Sequence, residues 1–438
     1  MRIASAGYRH TLPLLAALLL AFFIPAPFLL GSVGMIAVVS AMLLLRGKVI
    51  FRNFRNRKLL WAPVALYLWT LASWLWSVDN GEASAILSTK LPLLLLPLTL
   101  GSSGIFRKKE GRKVFFAFSM GLAVTALYCV GRAWYRYRAD GELSHFFYHP
   151  LVAGLDANAV YMAWYVVAAL LFLLLSPLPD TAGVRREAWV RGGLLSVLLP
   201  FFLLLSARTL LVTFVAIALP VALVFSFRKK VIRPQKFLIW IFTAAIVLAG
   251  IFAVQQPTLQ ARFRELGHSR PGLSYLEKYQ GEEAHFSNMN IRLFLWRVGL
   301  KSMLSSPQNV LIGAGVGDAH EAIHEQVRAL GIPNVEKDSP NRSVFYNINL
   351  HNTFLHIALA TGLVGLLLVV VMVASLLLSG LRHYRQTPFL LLFALLSAIF
   401  MMQEAVFETQ AGTVFYIFFY CLFVDFIYNK KGTGRVSF

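Results

Sequence analysis

The sequence predicts an all-α polytopic membrane protein of about twelve transmembrane helices, and three observations carry that prediction. Of its 438 residues, 58% are apolar and 14% charged, against about half and about a quarter in a typical water-soluble domain. Mean hydropathy is +0.66. Apolar blocks of roughly 17 to 25 residues recur, the length that crosses the hydrocarbon core of a bilayer as a helix.

Taken in order, the blocks fall near residues 11–25, 28–45, 59–77, 86–101, 114–131, 151–176, 192–206, 209–227, 237–254, 352–379, 388–402 and 411–428. The first follows Arg2 and Arg9 as a secretory leader would. Pro25, Pro27 and a second apolar block come next in place of a cleavage site, so the block reads as a span. The chain divides into residues 1–254 with nine spans, a polar segment 255–350, and residues 351–438 with three more spans, all within one integral domain. Cys129 and Cys421 lie inside apolar blocks, and no disulfide is implied.

The net charge of +21 invites a nucleic-acid reading until the charges are located. With the N-terminus inside, the cytoplasmic connections hold 26 of the 41 Lys and Arg and three of the 20 acids, a balance of +23, leaving −2 for everything else. This is the positive-inside bias of membrane proteins, so no nucleic-acid partner is needed. Both termini then face the cytoplasm, and segment 255–350 is external.

A connection that long carries structure or function of its own. Two helices are expected in it, Asn290–Leu304 and Asp318–Leu330, the second capped by Asp318 and stopped by Gly331 and Pro333. The run Gly313, Gly315, Gly317 reads as a tight turn between them, and residues 265–288 and 333–349 as irregular.

The chemistry belongs at the external rim. A charge at membrane depth costs roughly 2.5 to 3.5 kcal/mol on insertion scales, so one that persists faces a cavity or a partner. Arg208, in Ser206-Ala207-Arg208, sits between two apolar blocks with almost no connection. Arg292 and Arg297 lie on the first loop helix. A guanidinium donates two parallel hydrogen bonds to a phosphate; its alternative is snorkelling to lipid headgroups. Arg132, Arg136 and Arg138, interleaved with Trp134, Tyr135 and Tyr137, suit the headgroup reading.

At the outer start of the tenth span stand His351 and Asn352, then Gly362 and Gly365. Glycines at i and i+3 allow close packing of that helix on a neighbour. An imidazole there can accept a proton from a sugar hydroxyl at neutral pH. Glu404 and Glu408, at i and i+4 between the last two spans, are candidates to pair with the external arginines or to act as acid or base. His320-Glu321-Ala322-Ile323-His324 matches a zinc-hydrolase pattern literally, but no third ligand follows in the right context: Glu336 and Asp338 lie beyond a Gly and Pro break. His320 and His324 therefore read as solvated loop-helix residues, with no metal site.

These residues resemble the O-antigen ligases and the related O-antigen polymerases. His351-Asn352, nine residues, Gly362, two residues and Gly365 is similar to the ligase signature at the end of the large periplasmic loop. Ser206-Ala207-Arg208 looks like that superfamily's Ser-x-Arg segment, and Arg292, Trp296, Pro307 and Gly313 to Gly317 look like its loop motifs. The resemblance covers the chain from about residue 150 onward. It implies a GT-C-like glycosyltransferase of the bacterial inner membrane with its site facing the periplasm. The donor would be a glycan on undecaprenyl pyrophosphate and the acceptor the lipid A core, with no cofactor. Arg208 and Arg292 would hold the pyrophosphate and His351 would align or deprotonate the acceptor hydroxyl, with Asn352, Arg297, Glu404 and Glu408 around them. A polymerase, or a polytopic transporter of lipid-linked sugar, are the competing readings.

Overall fold

A computed structural model describes residues 2–179, 184–228, 288–332, 349–385 and 387–431. Among them there is helix and no strand. In chain order the helices are α1 (Arg2–Phe23), α2 (Phe28–Asn56), α3 (Trp61–Ala72), α4 (Asn80–Lys90), α5 (Pro92–Leu98), α6 (Lys108–Asp140), α7 (Tyr148–Val152), α8 (Ala159–Leu175) and α9 (Val184–Leu204). They continue with α10 (Arg208–Thr213), α11 (Leu219–Arg228), α12 (Asn288–Met303), α13 (Pro307–Ile312), α14 (Ala319–Ala329), α15 (Thr353–Arg382), α16 (Pro388–Met401) and α17 (Gln410–Lys431).

Seven helices among the described residues are long and apolar enough to cross a membrane, or eight if the pair Tyr148–Leu155 and Ala159–Leu175, bent by 87°, counts as one span. Tyr8–Phe23 and Pro388–Met401 are apolar but shorter. The protein is therefore a polytopic helical membrane protein, with fewer full-length spans among its described residues than the twelve blocks suggest. The fourth block accounts for part of the difference. Pro92 cannot continue a helix from Lys90 without losing a hydrogen bond, so the block breaks into polar α4, capped by Asp79 accepting from the Glu82 N–H at 2.8 Å, and the short α5. The ninth block, 237–254, and the segments 265–287 and 333–348 lie outside the described residues.

α17 is the axis of the bundle. Its residues from Val414 to Val424 are buried, and its phenylalanines mesh with the aromatic rings of α6, α8 and α16; Phe419 meets Phe115 at 4.5 Å and Phe415 meets Tyr165 at 4.4 Å. α1 packs on α2 and α6. Gly121 makes the second contact possible, because a Cβ there would collide with the Phe22 carbonyl.

One end of this bundle is tied by a buried ion pair. Arg57 pairs with Asp425, which also accepts from the Gly104 and Phe106 N–H groups at 3.0 and 2.7 Å. Asn53 and Arg46 reach the carbonyls of Ser102 and Ser103 at 2.9 and 3.0 Å. The candidate functional residues gather at the opposite, upper end.

α15 is not a continuous helix. Gly362 breaks it with φ 68° and ψ −167°, a conformation essentially confined to glycine. The carbonyls freed there find partners, as a backbone at membrane depth requires: Ala314 N–H to Leu359 at 2.9 Å, Gly315 N–H to Ala360 at 3.1 Å, and Trp69 Nε1 to Thr361 at 2.8 Å. The expected close packing of this helix on a neighbour holds at Gly362, where a Cβ would collide with Leu311 of loop helix α13, but Gly365 is covered by Thr361 of its own helix.

Candidate functional site

Each predicted side chain owes its position to a local feature of the chain. Asn352 caps α15, its side chain accepting from the Leu355 N–H at 3.1 Å, which makes it a structural anchor for its neighbour. His351 just before it has φ 43°, a left-handed conformation that costs a non-glycine residue about 1–3 kcal/mol. Its N–H donates to Asn349 Oδ1 at 2.8 Å, which helps to hold it there. Arg292 and Arg297 sit on α12, half-buried. That helix is docked by Trp296, whose Nε1 donates to the Leu350 carbonyl at 3.0 Å, and by Gly299, where a Cβ would collide with Leu350.

Arg208 opens α10 immediately after a reversal at Ser206, whose φ is 50°. α8 starts at the upper end, where the Tyr161 hydroxyl donates to the Ala405 carbonyl at 3.3 Å. α9 packs back along α8, so Arg208 lies at the same end as His351, and it is half-buried. The helix it starts passes into a π-helical turn at Phe214–Ala218. Arg132, expected at the lipid interface, lies against Gly154, where a Cβ would collide with its side chain.

Glu404 joins two of the predicted groups. Its Oε1 accepts from Arg292 Nη2 at 2.8 Å, and its Oε2 is 3.1 Å from His351 Nδ1. The carboxylate side chain is 6% exposed while Arg292 and His351 are 25% and 29% exposed, so a buried carboxylate holds two partly exposed partners. Glu404 and Glu408 do not share a helix, contrary to their i, i+4 spacing; they lie in an irregular turn between α16 and α17.

That turn is pinned at three points. Thr353 Oγ1 donates to the Glu404 carbonyl at 2.7 Å and accepts from the Val406 N–H at 2.9 Å. Tyr161 holds Ala405. Glu408 pairs with Lys90 at 2.8 Å and with His356 at 3.3 Å. Burial opposes charge on Glu408, yet His356 and Lys90 hold its carboxyl well below the usual range. Glu408 thus anchors the turn and, among the described residues, pairs with no external arginine.

The expectation that His320 and His324 are solvated is also corrected. His324 is buried and 3.4 Å from Glu321, while His320 is 3.3 Å from Glu82, with its ring 5.6 Å from that of His356. Burial and the neighbouring His356 push the His320 imidazole below its ordinary value. No group of three or more His, Cys, Asp or Glu is arranged to hold a metal among the described residues; Glu336 and Asp338 lie outside them.

The glycine run is a bridge, not only a turn. It passes between the α15 kink and the start of α4, where a Cβ at Gly317 would collide with the Asp79 carbonyl. Asp318 does not cap its own helix; its carboxylate accepts from the Val78 and Asp79 N–H groups at 2.7 and 2.9 Å. Sequence reasoning did not single out Thr353, Lys90 or His356. Lys90 carried a signal, being a lone cation within an apolar block.

Chemically, a carboxylate on Nδ1 fixes an imidazole with Nε2 free to take a proton, and a guanidinium beside it offers charge to an oxyanion. Residues 193–370, which contain Arg208, Arg292 and His351, match the protein family described as O-Antigen ligase. No curated protein matches the chain.

Proposed function

We propose, from the match of residues 193–370 to the O-antigen ligase family, that this protein is a membrane glycosyltransferase completing lipopolysaccharide. It moves a preassembled O-antigen glycan from undecaprenyl pyrophosphate to a sugar hydroxyl of the lipid A core, at the periplasmic face of the bacterial inner membrane. The observation that carries this reading is the Glu404 bridge, which brings Arg292 and His351 to one carboxylate.

In this reading Glu404 accepts a hydrogen bond from the His351 Nδ1–H and leaves Nε2 as the base. Nε2 takes the proton of the acceptor hydroxyl as its oxygen attacks the anomeric carbon. The bond to the pyrophosphate breaks on the opposite side, so configuration inverts. Arg208 and Arg292 meet the negative charge that builds on the departing diphosphate; fixed charge of that kind is a large contributor to catalysis. Two guanidinium groups supply what a divalent cation supplies elsewhere, and the reaction is metal-independent.

The test is transfer from a defined undecaprenyl-pyrophosphate donor onto purified rough lipopolysaccharide by the protein in detergent. Wild type transfers, EDTA has no effect, and His351→Ala and Arg208→Ala express but do not transfer. Near-normal activity of either variant removes its role. Elongation of the donor on its carrier, without transfer to lipid A core, identifies a polymerase instead.

A further inference from the structure

A cleft of about 430 Å³ opens at the upper end between the α1–α2 turn, α4, the α7–α8 break and the start of α17. Its size is that of a small-molecule site, roughly 300–1,000 Å³. The lining divides by chemistry. Ser32, Thr89, Asp156 and Gln410 bring hydroxyl, amide and carboxylate groups, while Ile24, Met162 and Val414 are apolar. Neither Lys nor Arg is among the lining residues. The Glu408 carboxylate in its wall is occupied by Lys90 and His356.

Three features give the cleft a direction. Asp156 is exposed in a left-handed conformation, φ 52° and ψ 40°, at the break before α8, and takes part in no ion pair among the described residues. Gln410 Nε2 donates to Ser32 Oγ at 3.3 Å, joining α17 to α2 across the cleft. Tyr161, also in the lining, donates to the carbonyl of Ala405, the residue after Glu404, so the cleft abuts the turn that carries the reaction centre. A diphosphate is excluded by this lining, which has acids and no cation. A run of neutral sugar hydroxyls suits it, because carboxylate and amide groups accept and donate to them.

We infer that this cleft is the subsite for the acceptor's saccharide, an uncharged, hydroxyl-rich stretch of its glycan. The assignment rests on the proposed transfer reaction, with the donor diphosphate held separately by the arginines.

Gly31 gives a direct way to close the cleft: it lines the space, and a Cβ there meets only the Phe23 carbonyl, at 3.9 Å. The experiment measures transfer kinetics of the full chain in nanodiscs for Gly31→Phe, Asp156→Gly and Gln410→Ala, with rough lipopolysaccharide as acceptor. Glycine at 156 keeps the left-handed backbone while removing the carboxylate. The acceptor KM rises about tenfold in each variant, the order expected from losing a sugar hydrogen bond or the space for the ring; donor KM and kcat stay at wild-type values. An unchanged acceptor KM in the two polar variants, or a rise in donor KM instead, overturns the assignment. If wild type transfers nothing, the reaction itself is wrong. Equilibrium binding of rough lipopolysaccharide then decides the cleft: weakened binding in the variants supports it, and equal binding, or none to wild type, overturns it.

Discussion

Glu404 is the residue on which the site turns, because one carboxylate does two jobs. It touches both His351 and Arg292, and in the proposed reaction it selects the His351 tautomer and neutralises Arg292 until a more highly charged diphosphate arrives. Glu404→Gln keeps the size but places an amide against Nδ1, favouring the tautomer whose Nε2 carries the proton. By analogy with triads that lose their carboxylate, kcat falls about 10²- to 10⁴-fold with little change in folding. Rates that stay within a few-fold of wild type in the detergent assay would remove Glu404 from the mechanism. Glu408 differs, although it stands only four residues on. Its removal leaves Lys90, whose side chain is 1% exposed, as a buried unpaired cation, and breaking such a pair costs about 3–5 kcal/mol. Glu408→Ala therefore lowers the thermal unfolding temperature. The double variant Lys90→Met/Glu408→Ala recovers much of the loss, and failure to recover would show that Lys90 is not the group left stranded.

At the scale of elements, the decisive unit is the docking of loop helices α12 to α14 onto the kinked α15. Gly362→Ala forces a Cβ into Leu311 and a side chain into a glycine-only conformation. Hydrogen exchange should accelerate at Ala314 and Gly315, whose N–H groups serve the kink; unchanged protection there would show that the bridge survives without the glycine. The same docking has a pH dependence. His320 lies between Glu82, His356 and Glu408, and its pKa is lowered in the fold, so the unfolded chain binds its proton more readily. Its contribution to stability is present above the unfolded value of about 6.5 and is lost as pH falls through the folded one. Thermal unfolding temperatures compared at mildly alkaline and mildly acidic pH should fall on acidification, and less steeply in His320→Gln. These elements also mark where the sequence was readable. Arg208, Arg292 and His351 stood out because a charge beside an apolar block needs a reason. Their meeting was hidden, since Glu404 lies 112 residues from Arg292 and 53 from His351. Glycines at i and i+3 look the same whether they serve a neighbouring helix or a kink, and a hydropathy average over 86–101 passes across the break at Pro92.

Over the whole molecule, the charge distribution and the two ends of the bundle make one claim about orientation. The end tied by Arg57 and Asp425 belongs to the connections rich in Lys and Arg, and the end with His351 and Glu404 does not. If the positive-inside bias sets the insertion, the first faces the cytoplasm and the second the periplasm, where a lipid-linked glycan and the lipid A core would meet. Both native thiols, Cys129 and Cys421, are buried, so an introduced cysteine can report sidedness. Ser305 follows α12 at the exposed upper end, and Gly47 is exposed near the basic end of α2, with nothing within 4 Å of an added Cβ. Ser305→Cys should react with a membrane-impermeant maleimide in cells with a permeable outer envelope, and Gly47→Cys only after the inner membrane is opened. The reverse pattern would put the carboxylate bridge on the side where undecaprenyl-linked glycan is assembled, not consumed, and the transfer reaction could not be its task.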